Sequence, residues 1–591
     1  MTRPASRRRA ARSSGGERGH GLRTPLMSLP AALVVGAGFL LPLGLLVAYS
    51  FWPTVGGEVD VGAWTLGNYS RFFTEQVYWQ TLLRSALFSS IAAIVTLALA
   101  FPVAYFVATK VAPQRRMLWV LAAVLPFGTS YLIRVLAWLN LLGDTGIVND
   151  GLMRLGILDT PLEILNYGIP AVIVTFVYLL FPLAFLTTYI SIERLDSSLL
   201  EAAADLGAKP WKGLLRVTLP IGRMGLMAGF AFCFITVMGD YITPQLVGGT
   251  RGTLFANLIV SKFDYTVQWG FGSSLALIML VAMFGFLLLG RRTIGTPDSV
   301  GQFTRRYARV RAPWLAAYSL VALVLLYVPI LLLVLFAFND ADFAGLPIEG
   351  LTTRWFGSVF DNPVLIDSLE TSLTVVFWTL LISLSLGTVA AVQLARARGR
   401  LRNLTLSTIA LPMLLPPVVL GLGIILGLNA LGLERGLWTI VVGHTVLILP
   451  IVTLLVLVRL EGLDPNLELA AMDLGAKPRQ AFLRVSVPQA LPGIVAAALI
   501  GFALSMDEFI LTFLVTGSQQ TLPLYIYSAL RFQIRPDLNA LSTLMLGASF
   551  GLCLLGAMVM VGRERIARLV RRGPRAPAAE PLPLEPVKVT R

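Results

Sequence analysis

At 591 residues, 56% of them hydrophobic and only 13% charged, the chain is too apolar to wet the surface of a soluble protein, so its class is membrane. The formal charge of +15 does not argue for nucleic acid, because the basic residues sit in short clusters between apolar runs, the pattern of membrane topology. Two histidines and two cysteines without metal or redox spacing leave little raw material for catalysis; Cys233 and Cys553 read as packing residues, and no cofactor or metal is expected.

In chain order, a basic tail over 1–27 carries seven arginines and precedes an apolar run too long for a cleaved signal peptide, which reads as a signal-anchor helix with the tail in the cytoplasm. A helix needs about 20 apolar residues to cross the hydrocarbon core. Runs of that kind predict twelve spans, at 28–51, 83–109, 117–142, 168–191, 219–248 and 271–290, then 314–338, 370–395, 404–430, 437–458, 488–516 and 541–562. Alternate connections are basic: Lys110, Arg115 and Arg116; Arg291 to Arg311; Arg396 to Arg402; and Arg563 to Arg572. The opposite connections are acidic, with Asp144, Asp150, Asp159 and Glu163 in one half and Asp340, Asp342, Glu349, Asp361 and Asp367 in the other. Both termini are therefore expected inside. The Pro- and Ala-rich stretch after Arg575 lacks periodicity and is expected to be disordered.

An internal repeat sets the architecture. Glu201-Ala-Ala-Ala-Asp-Leu-Gly-Ala-Lys-Pro210 recurs as Leu469-Ala-Ala-Met-Asp-Leu-Gly-Ala-Lys-Pro478, each between the fourth and fifth spans of its half. Two parallel six-span units follow. The expected organisation is a first unit at 28–290, a basic linker at 291–313, a second unit at 314–562 and a cytoplasmic tail at 563–591. Each repeat copy reads as a short helix: Ser198 and Glu201 have capping-box spacing, Asp464 can cap with Pro465 at the first helical position, and Gly207 and Gly475 end the two helices. Glycine-ended, alanine-faced and too polar for lipid, such a helix suits docking against a partner; the bland alternative is an ordinary surface helix.

Glu-Ala-Ala, then Leu-Gly, then a downstream Pro resembles the signature of the permease subunits of binding-protein-dependent ABC importers. The resemblance implies an all-α integral membrane protein of two tandem six-helix permease domains (type I, MetI-like) with twelve transmembrane helices. It implies two copies of an ABC ATPase subunit as partners, with an external solute-binding protein, the lipid bilayer as surroundings and no nucleic acid. The implied ATPase-coupling residues are Glu201, Ala202, Ala203, Asp205 and Gly207 in one copy, and Glu468, Ala470, Ala471, Asp473 and Gly475 in the other. The second copy departs from the signature at Leu469; Glu468 stands one residue earlier, a rotation of about 100°, so the two contacts are expected to be unequal. No Gly-Lys dipeptide occurs, hence no phosphate-cradling loop, and the chain is expected to hydrolyse no ATP itself.

Met238 to Gly249, Leu504 to Gly517, Ser130 to Trp138, Ala395 to Gly399 and Leu522 to Ser528 resemble the polyamine (spermidine/putrescine) branch, the two halves matching its two permease types. Related permeases for ferric iron, thiamine or phosphonates are the alternatives in cargo, and an ion-gradient-driven secondary transporter the alternative in class. Asp240, Asp507 and Glu508 are carboxylates inside apolar spans, where charge is costly and usually faces a partner or an aqueous path. Asp240 and Glu508 each lie 33 residues beyond their repeat glycine. Two readings stay open. In one, these carboxylates flank a passage for a cation, with Tyr241, Trp138 and Phe509 available for cation–π contact. In the other, Asp240 neutralises Arg134, Asp507 or Glu508 sits near the outer interface, and the aromatics only pack. His444 reads as a buried hydrogen-bonding residue.

Overall fold

The computed structural model describes residues 29–143, 146–162, 167–193, 195, 197–292, 312–342, 348–464, 466–532 and 535–551. The expectations for the N-terminal tail, for Pro465 and Cys553, for most of the linker and for the C-terminal tail lie outside these residues.

The first half runs through α1 (Leu29–Ser50), α2 (Gln76–Thr109), α3 (Tyr131–Leu142), α4 (Ile169–Glu193), the short α5 (Ser197–Asp205), α6 (Leu219–Gly239), α7 (Ile242–Val247) and α8 (Trp269–Arg292). The second half repeats the order: α9 (Pro313–Ala337), α10 (Pro363–Arg396), α11 (Pro417–Ala430), α12 (Leu437–Glu461), the short α13 (Asn466–Asp473), α14 (Val487–Asp507), α15 (Ile510–Val515), and a last helix over 536–551. The fold is thus all-helical and built twice, as expected. In each half a three-helix core, α2 with α4 and α6 or α10 with α12 and α14, carries the main packing.

Ten helices are long and apolar enough to cross a membrane, and eleven if the bent segments 400–414 and 417–430 form one span. The expected count of twelve is not reached among the described residues, which stop at 551 within the twelfth predicted span. Prolines account for one group of differences. Leu125-Pro-Phe-Gly128 and Leu411-Pro-Met-Leu414 tighten into 3-10 turns, and the chain leaves helical dihedrals before α3 and α11, bending by 102° in the second case. The predicted spans 219–248 and 488–516 break too, at Asp240 and Glu508, both in extended conformation with ψ 125° and 111°. The helices of the second and eighth predicted spans, α2 and α10, start earlier than predicted, at Gln76 and Pro363, because turns that carry polar residues, Gln80 and Thr81 in one and Asp367 and Ser368 in the other, precede the apolar run.

The first helix of each half packs on the other half. α1 lies on α11 and α12 as well as on α8 of its own half, and Gly423 makes room for Pro42: a Cβ there would come within 2.7 Å of the proline ring. α9 lies on α2 and α3, where Tyr318 and Tyr327 donate hydroxyl hydrogen bonds to the carbonyls of Leu99 (3.0 Å) and Ala122 (2.9 Å). Both buried clusters consequently take residues from the two halves, the larger from most of the helices and the smaller where Ala31 and Val35 of α1 meet α10 and α12.

Candidate docking helices and central passage

Both repeat copies fold into the short helices α5 and α13, and they end identically. The amides of Leu206, Gly207 and Ala208 donate to the carbonyls of Ala202, Ala204 and Ala203; those of Leu474, Gly475 and Ala476 donate to Ala470, Met472 and Ala471. Gly207 (φ +77°) and Gly475 (φ +91°) occupy the left-handed conformation that this closure requires. Leu206 and Leu474 then stand 88% and 90% exposed, as apolar knobs at the tip of each helix. Asp464 accepts the Asn466 amide at 2.9 Å, the expected cap. α5 begins at Ser197, one residue before the expected cap Ser198.

Glu201, Ala202 and Asp205 are exposed on α5, with Ala203 half-buried, and Ala470 and Asp473 are exposed on α13, with Ala471 half-buried. Glu468 differs. It accepts from Arg396 at 2.9 and 3.3 Å and from the Ser486 hydroxyl at 3.0 Å, while the Arg396 guanidinium lies 4.8 Å from the Phe482 ring centre. Glu468 therefore ties α13 back to α10, and the exposed carboxylate of Glu201 has the exposed Leu469 as its counterpart. After the glycine turn of each docking helix comes a short helix, Pro210–Gly213 or Pro478–Ala481, which runs into its span through a π-helical segment, 214–218 or 482–486, a feature no periodicity in the sequence signals.

At the break between α6 and α7, Asp240 is 1% exposed and receives the amides of Ile242 (2.7 Å) and Thr243 (3.3 Å), the Thr243 hydroxyl (2.8 Å) and the Tyr131 hydroxyl. It is the N-terminal cap of α7. Glu508 plays the same part for α15, accepting the Leu511 amide at 2.9 Å, so the equivalence expected from the 33-residue offset is real. The expected pairing of Asp240 with Arg134 is overturned: four donors use the carboxylate, and the guanidinium has Asp507 of the other half as the carboxylate in electrostatic reach. Arg134 itself donates to the Leu179 carbonyl at 3.3 Å and lies 5.2 Å from the Phe127 ring centre.

Asp507 accepts the Tyr131 amide at 2.7 Å, capping α3 from the other half of the chain. The corresponding place across the pseudo-twofold is Gly239 against Pro416, where a Cβ would come within 2.3 Å of the proline. The asymmetry has a chemical reason. Tyr131 presents an amide that needs an acceptor, whereas Pro417, at the first position of α11, has none.

Between α6 and α14 lie two adjoining cavities, of about 210 and 280 Å³, sharing Thr236, Leu504, Glu508 and Ile510. The first also reaches Tyr131, Arg134, Asp240, Asp507 and Phe509, and the second is lined mostly by apolar residues with His444. Asp507 and Glu508 thus line one cavity together. Tyr241 is buried outside the cavity linings, its ring 5.8 Å from Phe513, which with Phe509 and Tyr527 forms one aromatic cluster. Trp138 packs edge-on against Tyr178, away from the cavity. His444 is hydrogen-bonded through both ring nitrogens, to Ser505 (2.9 Å) and Thr512 (2.7 Å). Sequence reasoning missed Tyr131, which joins Asp240 to Asp507; its place directly after Ser130 at a helix start was the available signal.

The family model "Binding-protein-dependent transport system inner membrane component" matches the chain twice, at 117–295 and 383–572. A spermidine/putrescine transport system permease protein, PotB, of Haemophilus influenzae is 39% identical over 250 residues, which is 42% of this chain and 86% of that protein. The putrescine transport system permease protein PotI of Escherichia coli K12 is 34% identical over 40% of this chain and 88% of its own length. Among solved structures, a bacterial alginate ABC transporter in complex with its periplasmic protein matches at 14% identity and TM-score 0.34, over 39% of this chain and 82% of that one. Two family matches in sequence, each with its own docking helix and broken span, place this chain among the inner-membrane permease components of binding-protein-dependent transport systems, as a tandem fusion of two such units.

Proposed function

We propose that the chain encloses the whole transmembrane pathway of an importer for small organic polycations of the spermidine/putrescine class. An external binding protein delivers the cargo, and two ATPase subunits, docked at α5 and α13 through Glu201, Ala202, Ala203, Asp205, Gly207 and Ala470, Ala471, Asp473, Gly475, hydrolyse ATP to drive it. The first permease domain is 28–290 and the second 314–562, with the tails and the linker 291–313 in the cytoplasm. In that orientation the docking helices are cytoplasmic, and α6 and α14 rise from them to the carboxylates.

The observation that carries this reading is the duplicated docking helix with an identical hydrogen-bonded ending and an exposed leucine tip in both halves. The cargo class is supported by the printed names of the relatives and by Asp507 and Glu508 in a shared interior cavity. Differential affinity of the docking helices for nucleotide-bound and nucleotide-free ATPases supplies the coupling.

The test is purification of the chain with its ATPase and binding protein, reconstituted in liposomes with labelled putrescine outside and ATP within. Uptake is expected to need ATP and both partners. Gly207→Val and Gly475→Val, which force a β-branched residue into the left-handed region, are expected to abolish copurification of the ATPase. Uptake driven by an ion gradient alone would replace this reading with a secondary transporter, and uptake of ferric iron, thiamine or a phosphonate in place of putrescine would overturn the cargo.

A further inference from the structure

The cavity of about 210 Å³ holds one cation of its own. Arg134 is 4% exposed, yet its guanidinium makes only the 3.3 Å hydrogen bond to the Leu179 carbonyl and the face contact with Phe127; its Nε has no hydrogen-bond partner. A buried guanidinium held mainly by neutral groups is under-satisfied, because five donors and a full charge have left water. Asp507 lines the same cavity with no hydrogen bond or ion pair to Arg134, so the two charges act on each other across the cavity and not by contact.

The two members of this pair are anchored unequally. Asp507 is fixed by the Tyr131 amide at 2.7 Å, a backbone donor at the start of α3, so the carboxylate cannot leave without uncapping that helix. Arg134 sits on a long side chain with an unused donor. If one partner moves, it is the cation.

We infer that Arg134 is a resident counter-cation, which neutralises Asp507 while the cavity is empty and surrenders it to an ammonium group of the cargo, so that loading is an exchange of one cation for another. No bond is made or broken in the exchange: an ammonium contact to Asp507 forms, and the balance that the guanidinium gave this carboxylate across the cavity is given up. The consequence is release. A carboxylate left bare in a low-dielectric cavity would trap a polycation, whereas a tethered competitor returns and displaces it. Phe127 and Phe509 offer ring faces to whichever cation is displaced. This inference rests on the cationic cargo proposed above.

The experiment uses the full chain assembled with its ATPase, without binding protein, and measures putrescine binding by calorimetry, followed by uptake with binding protein restored. R134Q is expected to bind putrescine about tenfold more tightly than the wild type and to show a lower uptake kcat with no rise in KM. R134K, which keeps the charge, is expected to match the wild type. Should R134Q fail to assemble, D507N and R134Q/D507N carry the test. Loss of the carboxylate beside an intact Arg134 is expected to weaken binding, and the double variant, with the repulsion removed, to bind about tenfold more tightly than D507N. An R134Q affinity equal to or below the wild type, or a double variant no better than D507N, overturns the exchange. If the wild type imports putrescine and R134Q binds no tighter, the exchange alone fails; if the wild type imports none, the cargo reading falls and the exchange with it.

Discussion

Asp240 and Asp507 are both carboxylates inside the spanning core, but they meet different needs. Asp240 collects four donors on two oxygens, including the two amides that start α7. Replacing it with alanine leaves those donors buried without an acceptor, at a cost of about 3 kcal/mol. Asp240→Ala is therefore expected to lower the melting temperature of the purified chain clearly, while Asp240→Asn, which keeps one carbonyl acceptor for the amides, loses less than half as much and retains putrescine uptake. Uptake abolished in Asp240→Asn at an unchanged melting temperature would instead place the charge of Asp240 on the cargo's route. The repeat offset of 33 residues made the equivalence of Asp240 and Glu508 legible in the sequence. That Arg134 shares its cavity with Asp507 was not legible, because hydropathy says which residues enter the bilayer and nothing about which carboxylate comes in from the other half.

At the scale of elements, the two docking helices were legible to within a residue or two, since glycine at a helix end and proline three residues later are local signals that tertiary packing does not override. What lay beyond local signals is the π-helical joint, 214–218 and 482–486, which follows the short helix after each docking helix's glycine turn and continues directly into α6 or α14. A π segment holds one residue more than the α-helix it interrupts. Removing one residue, Val217 or Val485, lets the joint close as α-helix and turns the docking helix by about 100° relative to its span. The expected result is a chain that still inserts and melts like the wild type but loses ATP-dependent uptake. Deleting both valines is expected to be no worse than deleting one, because a single misdirected docking helix already breaks the coupling. A single deletion with normal uptake would make the joint a passive splice. Glu468, tied to Arg396 and Ser486, belongs to the same mechanical unit: it holds α13 to the end of α10 and to the π segment.

For the whole molecule, the twofold repeat in the sequence predicts two self-contained units in a row, and each family match spans one of them. The packing is less separable than that. α1 belongs by sequence to the first half but lies on α11 and α12, α9 belongs to the second but lies on α2 and α3, and the cavity and the Asp507 cap of α3 are built jointly. No hydropathy profile carries this exchange, because a helix covered by its own half and a helix covered by the other half have the same apolar composition. Its consequence is that the covalent linker is not what holds the halves together. With a protease site inserted at 300 and cleaved after purification in detergent, the two fragments are expected to remain one species in gel filtration and to import putrescine at the uncut rate, since the helices that join them, α1 on α11 and α12 and α9 on α2 and α3, lie outside the linker. Shortening the first fragment to begin at residue 52, which removes α1, should change that outcome: α11 and α12 lose the helix that covers them, Gly423 faces lipid in place of Pro42, and the cut fragments are expected to separate. Fragments that stay together without α1 would show that the cavity interface and α9 suffice to hold the pair, and would reduce the exchanged helix to a lipid-facing wrapper.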